Sequence, residues 1–431
     1  MRPFQISLFG VFAALAVGGM LMFATFRGFG TETTNLSAGV EIWGTLDQSV
    51  FANLLEEIKK NDDNWSKVKY VQMDSKDFTQ NFINSLAEGK SPDLVVIQSD
   101  LLAQLYTKLQ PIPYDTYSER DYKDAFVDGA DIFLFPNGIY ALPFAVDPLV
   151  MYWNKNMIAS AGLSTPPRTW EELTEKTLPR VTMYNDEGDI LQSTVAFGEF
   201  QNVRHAKETL LMLMLQAGSR VSYITSRGIN IDLNANDSNS PMPPGDAATG
   251  FFANFSSRSS AWYTWNRALP NDKDAFLAES LALYFGPGSE YKDIEDGNPN
   301  LSFDVAQVPQ SGASTVKHGY GLFYGFAIPR SARNTLGAYE VAATLSTDAL
   351  SLQLVKRFRF APVHRSLIES AGGDAVATVL FRSALVARGW LDPNPEASNT
   401  IFSTMIDSIS SGRGKVSEAI SDATTKLQNA F

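Results

Sequence analysis

The chain has 431 residues, of which 44% are hydrophobic and 19% are charged, and its formal net charge is -12 at pH 7. This composition is that of a packed soluble protein, and the length predicts two or more globular units. The acidic balance argues against a nucleic-acid-binding surface, which needs clustered Lys and Arg. The absence of cysteine excludes disulfides, thiol nucleophiles and Cys-ligated zinc.

The first segment of the chain is long and uncharged. Residues 3–26 carry no charged side chain, and Arg2 and Arg27 flank them. A spanning helix needs about 20 apolar residues, whereas the apolar core of a signal peptide has roughly 7–15. Because no Ala-x-Ala cleavage site is evident after it, residues 1–30 are predicted as an uncleaved transmembrane helix, with a cleaved signal peptide as the alternative. Residues 31–37 are then a polar linker, and a globular part outside the cytoplasm is anchored to the cell membrane.

Beyond the linker, short apolar strands alternate with amphipathic helices. Strands are predicted at residues 40–43, 68–72 and 94–97. Helices are predicted at residues 47–60 and 76–88, because their apolar residues recur at three- and four-residue spacing. This β-α-β-α-β order indicates a parallel sheet with right-handed crossovers, and such sheets bind ligands beyond the carboxyl ends of their strands.

The organisation changes after residue 140. A strand at residues 143–151 is followed by a Pro-Pro segment, and Thr169 with Glu172 forms a capping box that predicts the start of a helix. A long apolar helix at residues 202–218 precedes a loop rich in Asp, Asn, Ser and Pro at residues 230–245. The remaining predicted elements are a short helix from residue 272, strands at 281–285, 303–308 and 320–328, and an all-helical tail from residue 336.

Patterns that carry catalysis are mostly missing. The three histidines, His205, His318 and His364, are too far apart in sequence for a zinc-hydrolase motif, and they are interpreted as surface or hydrogen-bonded residues. Residues 89–91 imitate the end of a phosphate loop, but Asn84 stands where that loop requires a glycine. A glycosidase pair of carboxylates is not excluded. No metal or cofactor is predicted, and binding without catalysis is favoured because it needs no reactive side chain.

A likeness to a known family is carried mainly by residues 142–155, LPFAVDPLVMYWNK. This segment resembles the hinge-crossing signature of extracellular solute-binding proteins of bacterial ABC importers, and more narrowly the maltose/oligosaccharide-binding group. Its continuation, with AGL at 161–163 and TWEEL at 169–173, follows the same pattern. Three weaker matches support the likeness in the family's order: SPDLVV at 91–96, ALYFGPG at 282–288 and YGFAIP at 324–329.

The resemblance implies an α/β, two-lobed fold of the periplasmic-binding-protein type II with hinge crossings. The lobes would comprise residues 38–144 with 327–362, and residues 148–320 with 364–431, and they would close on a ligand. The implied function is capture of a small solute, a sugar or oligosaccharide, by a monomer that delivers it to ABC permease subunits. A membrane-anchored glycoside-active hydrolase and a solute sensor domain are the alternatives.

The resemblance also implies ligand-binding residues. Asp100 matches an acidic position that binds sugar hydroxyls in the maltose group, although a helix N-terminal Asp would suit the same position. Asp147 matches the acidic hinge residue, with a structural hydrogen bond as its alternative. Gly286 and Gly288 lie in the turn that carries an aromatic platform in that group, and Gly288 stands at the platform position. Further candidates are aromatic residues that would serve equally well as core residues: Trp43, Tyr320, Tyr324 and Trp390. A neutral carbohydrate is expected, and a polyamine is its main competitor.

Overall fold

A computed structural model describes residues 36–226, 228–235, 242–314, 316–368 and 374–431. The segment predicted to span the membrane lies outside these residues. Within the described ranges, no helix is both long enough and apolar enough to cross a bilayer.

The main sheet has twelve strands. In chain order the strands of the described residues are β1 Val40–Gly44, β2 Val68–Gln72, β3 Leu94–Gln98, β4 Leu109–Gln110, β5 Leu134–Phe135, β6 Gly138–Ile139, β7 Leu142–Asn154, β8 Met183–Tyr184, β9 Ile190–Val195, β10 Val221–Thr225, β11 Gly228–Asp232, β12 Leu281–Pro287, β13 Phe303–Ala306, β14 Gly319–Pro329, β15 Ala361–Pro362 and β16 Ala387–Arg388. The central order of the main sheet is β2-β1-β3-β14-β7-β12-β9-β8; β4 and β16 also pair with β14, and β13 and β15 with β7. The pairs β5–β6 and β10–β11 are separate antiparallel hairpins.

Helices pack around this sheet, and one of them, Trp170–Glu172, continues through a π turn at Leu173–Thr177 into Leu178–Val181. The other α-helices are Gln48–Lys59, Phe78–Ala87, Leu102–Leu105, Glu119–Ala125, Lys155–Ser160, Ala206–Gln216, Pro244–Asn254, Asp272–Leu277, Tyr291–Gly297, Thr335–Leu345, Asp348–Phe358, Arg365–Ile368, Ala375–Val386, Pro395–Ser410 and Val416–Gln428. The 3-10 turns are Leu36–Ala38, Asp63–Lys67, Ser99–Leu101, Tyr106–Lys108, Asp128–Phe133 and Gly288–Glu290.

The predicted parallel sheet at the start of the globular part is confirmed. Strand β1 lies between β2 and β3 and is parallel to both of them. The helix between β1 and β2 begins where expected, because the Asp47 side chain accepts hydrogen bonds from the backbone N–H groups of Ser49 and Val50 at 2.8 and 3.2 Å. Phe51, Leu54 and Leu55 of this helix are buried against the sheet. The three- and four-residue spacing of its apolar residues therefore predicted correctly which helix face packs on the sheet.

Two long strands connect the halves of the sheet. From Leu142 to Pro148, β7 pairs with β14, which continues the sheet to β3. From Leu149 to Asn154, β7 pairs instead with β12 and β13. We call β1, β2 and β3 the first half-sheet, and β8, β9, β12 and β13 the second half-sheet. Asp147 therefore lies at the junction of the two half-sheets.

Three predictions from the sequence need correction. Residues 230–245 are not one loop, because β11 pairs with β10 up to Asp232 and a helix begins at Pro244; residues 236–241 lie outside the described ranges. The tail from residue 336 is not all helical, because it contains β15 and β16. The helix predicted from residue 202 starts at Ala206. Asn202 lies outside it, and its side chain donates hydrogen bonds to the carbonyl groups of Asn266 and Leu269, in the loop before the Asp272–Leu277 helix.

The predicted capping box is present in altered form. Thr169 Oγ1 accepts a hydrogen bond from the backbone N–H of Glu172 at 3.1 Å, as expected. The Glu172 carboxylate accepts from the N–H of Arg168 at 2.9 Å, one residue before the expected Thr169. The helix start is therefore confirmed, and the reciprocal bond is displaced by one residue.

Candidate functional site

Adjacent strands bring four of the predicted residues to the junction of the half-sheets. Asp100 follows the carboxyl end of β3, and Asp147 lies in β7. Between them runs β14, in which Tyr324 is paired with Gln98 of β3 and with Ala145 of β7. Tyr320 lies four residues before Tyr324, near the start of β14. We call Asp100, Asp147, Tyr320 and Tyr324 the junction cluster.

Asp147 is held by the turn that follows β12. Its side chain is buried, and Oδ1 accepts a hydrogen bond from the Ser289 N–H at 3.1 Å while Oδ2 accepts one from Ser289 Oγ at 2.6 Å. Burial raises the pKa of Asp147 to about 6, although the bonds from Ser289 oppose this. The structural hydrogen bond considered as the alternative is thus present. Each carboxylate oxygen can accept a further bond, so a ligand role for Asp147 stays a prediction.

Asp100 has a buried oxygen without a partner. Its residue as a whole is half-buried, yet Oδ1 is shielded from solvent and accepts no hydrogen bond from the described residues. Burial raises the pKa of Asp100 to about 7; Lys207 lowers it, whereas Asp392 and Glu208 raise it. An enclosed carboxylate oxygen without a donor is unfavourable in a folded protein. A donor from a bound solute would satisfy it, which is the role that the resemblance implies.

A buried ion pair lies close to Asp100. Lys207, in the Ala206–Gln216 helix, donates from Nζ to Asp392 Oδ2 at 3.1 Å and to Ser398 Oγ at 3.2 Å. Ser398 also donates to the same Asp392 oxygen at 2.8 Å. Burial lowers the pKa of Lys207, but Asp392, Glu208 and Asp100 together keep it above its ordinary value. These residues were missed in the sequence, where the only signal was a lysine at the start of a helix that becomes apolar after Thr209.

A second charged network surrounds Glu290, the residue next to Ser289. Glu290 Oε1 lies 3.1 Å from His205 Nε2. Glu290 Oε2 forms an ion pair with Lys273 Nζ at 3.2 Å and accepts a hydrogen bond from the Tyr284 hydroxyl at 2.6 Å. Burial would raise the pKa of Glu290, but His205, Tyr284 and Lys273 hold it at about 2. Glu290 is therefore a fixed anion that anchors the turn carrying Ser289. The interpretation of His205 as a hydrogen-bonded residue is confirmed.

The aromatic candidates occupy different environments. The Tyr324 ring is buried and stacks on Phe360 with ring centroids 4.7 Å apart, and its hydroxyl accepts from Gln98 Nε2 at 3.3 Å. Tyr320 is also buried, near Asp100 and Glu208. The two rings of the junction cluster are therefore buried and present little free face for stacking on a sugar.

The two tryptophans lie outside the junction cluster. Trp390 is only 2% exposed and packs edge-to-face on Phe402, with its indole N–H lacking a partner among the described residues. This is the packing of a core tryptophan, and it gives no support to the ligand-binding prediction for Trp390. Trp43 is half-buried, and its indole N–H donates to Glu41 Oε1 at 2.7 Å on the same strand.

The two glycines of the predicted platform turn lie against bulky neighbours. A Cβ atom at Gly286 would approach the Tyr284 ring to 2.8 Å. A Cβ atom at Gly288 would come within 2.4 Å of Leu380 Cδ2 and 3.5 Å of Asp147 Oδ1. Leu380, from the Ala375–Val386 helix, thus occupies the space that a side chain at position 288 would need.

Within the described ranges, no three histidine or acidic side chains are grouped so that they could hold a metal ion. The side chains of the junction cluster offer two carboxyl groups with raised pKa values, and tyrosine hydroxyls. Such groups accept hydrogen bonds from hydroxyl or ammonium groups.

Similarity to known proteins extends over most of the chain. Residues 53–370 match the family described as bacterial extracellular solute-binding protein. A relative from Brucella abortus (strain 2308), provisionally named a binding protein, is 22% identical over 361 residues, which cover 80% of this chain and 81% of the relative. A relative from Brucella suis biovar 1 (strain 1330), named in the same way, matches with the same figures.

Solved structures share the fold. A cyclo/maltodextrin-binding protein complexed with maltotetraose is 16% identical, with a TM-score of 0.73, and the match covers 93% of this chain and 98% of that protein. The cyclic alpha-maltosyl-1,6-maltose binding protein from Arthrobacter globiformis gives 15% identity and a TM-score of 0.72, covering 91% and 98% of the two chains. The sugar-binding protein MalE from Xanthomonas citri gives 17% identity and a TM-score of 0.71, covering 91% and 97%. At these identities the likeness establishes the α/β, two-lobed fold.

Proposed function

This chain belongs to the bacterial extracellular solute-binding proteins, and we propose that it captures a sugar or oligosaccharide between its lobes and delivers it to an ABC permease. The observation that carries the proposal is the enclosed Oδ1 atom of Asp100, which has no donor among the described residues. Asp100 lies near Tyr324, which is also close to Asp147. The lobes are proposed with the boundaries predicted from the sequence, and the chain is proposed to act as a monomer anchored by residues 1–30.

Several features support a neutral, hydroxylated solute. Sugar hydroxyl groups donate to carboxylates, and a protonated carboxyl group can also donate to them. Burial raises the pKa of Asp100 to about 7 and that of Asp147 to about 6, so both protonation states of Asp100 are populated at neutral pH. The solved structures with similar folds include one that holds maltotetraose.

A cationic solute is the second candidate, because carboxylates outnumber cations around Asp100. Lys207 is already paired with Asp392 at 3.1 Å, and Glu208 adds another acidic group nearby. A polyamine would satisfy this negative charge, and its binding would weaken as salt screens the charges, whereas binding of a neutral sugar would hardly change.

Calorimetry separates the two solute classes. A panel of neutral oligosaccharides and spermidine is first screened by thermal shift, because a bound solute raises the apparent stability by mass action. Each solute that binds is then titrated at low and at high salt. Salt-independent binding of an oligosaccharide is the expected result. Binding confined to spermidine and lost at high salt would overturn the sugar proposal.

We propose binding without turnover. The same oligosaccharides, incubated with the protein and analysed by chromatography, should be recovered unchanged. Appearance of hydrolysis products would favour the alternative of a glycoside-active hydrolase that uses two carboxylates.

A further inference from the structure

A cavity of about 360 Å³ lies where the end of β12 approaches the Asp348–Phe358 helix and the Ala375–Val386 helix. Its walls are mostly apolar side chains from separate parts of the chain. They include Leu352, Val355, Phe360, Leu380 and Phe381. Gly288 and Tyr291, in the segment that follows β12, also line it. A cavity of this volume and composition suits a small organic molecule.

Two cations stand at this cavity without an ion-pair partner. Lys356 and Arg359 both line the cavity and are exposed, and none of the ion pairs formed among the described residues includes either of them. Arg357, between them in sequence, is different: it does not line the cavity, and its guanidinium pairs with the Glu57 carboxylate at 2.8 Å. The cavity therefore borders two positively charged side chains, Lys356 and Arg359, that form no ion pair among the described residues.

One carboxylate lines the cavity beside these two cations. Asp374 lines the cavity, but its Oδ1 accepts a hydrogen bond from the backbone N–H of Val376 at 2.9 Å as the N-cap of the Ala375–Val386 helix. A carboxylate in this position is also stabilised by the helix dipole. The two cations Lys356 and Arg359 outnumber this single carboxylate among the lining side chains, and the surplus positive charge favours an anion.

The backbone of Arg359 provides an independent indication. Arg359 ends the Asp348–Phe358 helix in the left-handed region, with φ of 57°, where glycine is the residue of least strain. Its guanidinium lies 5.5 Å from the centre of the Tyr291 ring, which belongs to the segment after β12. The Arg359 side chain thus extends from a strained backbone position to Tyr291 at the edge of the cavity. Backbone strain of this kind is typical of ligand-binding positions.

We propose that this cavity is a second ligand site and that it binds a small amphipathic carboxylate. The apolar body of the ligand lies among Val355, Phe360 and Leu380, and the carboxylate meets Lys356 and Arg359. Because Phe360 precedes β15 and Tyr291 follows β12, an occupant touches segments that pack on either side of the junction. It therefore stabilises the arrangement in which those segments are close. The cavity shares Gly288 with the predicted sugar site, but the proposal does not depend on which solute the junction cluster binds.

Calorimetric titration with 3-phenylpropionate tests the proposal, with 3-phenylpropanamide as the uncharged probe of the same shape. We expect the carboxylate to bind at least about tenfold more tightly than the amide, because charge-assisted hydrogen bonds are stronger than neutral ones. Lys356→Gln and Arg359→Gly should each weaken carboxylate binding by about fivefold or more. Glycine suits the left-handed backbone at position 359, so the second variant preserves the fold.

The matched control is Arg357→Gln, which removes the same charge from the neighbouring residue outside the cavity. Its carboxylate affinity should equal that of the unmodified chain. The proposal is overturned by absence of 3-phenylpropionate binding at millimolar concentration, by equal binding of the amide, or by a loss in Arg357→Gln as large as in Lys356→Gln.

Discussion

Replacing Asp100 with asparagine should make the protein more stable and a poorer binder. Burial raises the pKa of Asp100 from 3.8 to about 7, so the folded chain binds this proton more strongly than the unfolded chain does. The unfavourable contribution is therefore absent below about pH 4, grows as the pH rises, and is complete above pH 7. At about 1.4 kcal/mol for each pKa unit, the full contribution is on the order of 4 kcal/mol.

Asp100→Asn removes this contribution but leaves an amide that must find its own partners. We therefore expect the variant to be more stable by about 2 kcal/mol at pH 8 and to differ little from the unmodified chain at pH 4. Urea unfolding at pH 4, 6 and 8 measures the difference. In the same variant, affinity for the solute identified by calorimetry should fall about tenfold or more, because a charge-assisted hydrogen bond is lost.

Asp392→Asn provides the contrast, since it removes the same charge from a carboxylate that is paired with Lys207 at 3.1 Å. It leaves a buried cation without its partner and should destabilise the protein by about 3–5 kcal/mol. If Asp100→Asn were destabilising at pH 8, or equally stabilising at pH 4 and pH 8, an unpartnered buried carboxylate would not be the correct description of Asp100.

Four further outcomes are expected. Glu290→Gln should destabilise the protein by about 3 kcal/mol at pH 7 and less at pH 3, because the depressed pKa of Glu290, about 2, gives stability that is lost as the pH falls below 4.5; equal losses at both pH values in urea unfolding would contradict this. Ser289→Ala should cost about 1.5–3 kcal/mol at pH 8 and less at pH 5, where Asp147 is mostly protonated. Small-angle scattering should give a smaller radius of gyration with bound solute, and an unchanged radius at saturation would argue against closure of the lobes. The full chain should fractionate with membranes while a chain beginning at Thr34 stays soluble, and a mature chain that starts after Gly28 would contradict the anchor.

Local patterns in the sequence predicted those elements that are long enough to show a period. The strands β1 to β3 and the helix Gln48–Lys59 were predicted within one or two residues, because each buries one side or face against the sheet. Strands β15 and β16 have two residues each and cannot show any period. Strand β15 forms by pairing with β7, and β16 by pairing with β14. Such pairing depends on distant residues and cannot be predicted from the local sequence.

The candidate site was predictable only in part. The resemblance identified Asp100 and Asp147, but their surroundings come from distant parts of the chain: Ser289 is 142 residues from Asp147, and Asp392 is 185 residues from Lys207. No local pattern reports such pairings. The aromatic residues illustrate the same limit, since Tyr324 and Trp390 look alike as candidates in the sequence and only packing shows that Trp390 lies against Phe402.

The pairing of β3 with β14 has a consequence for the time at which the protein can fold. Gln98 of β3 is paired with Tyr324 of β14. The edge of β3 that does not face β1 therefore has no partner strand until a further 226 residues have been synthesised. At about 5–20 residues per second, translation takes roughly 10 to 45 seconds to supply that strand. The nascent chain therefore remains incompletely folded for most of its synthesis, which favours transport across a membrane before folding is complete.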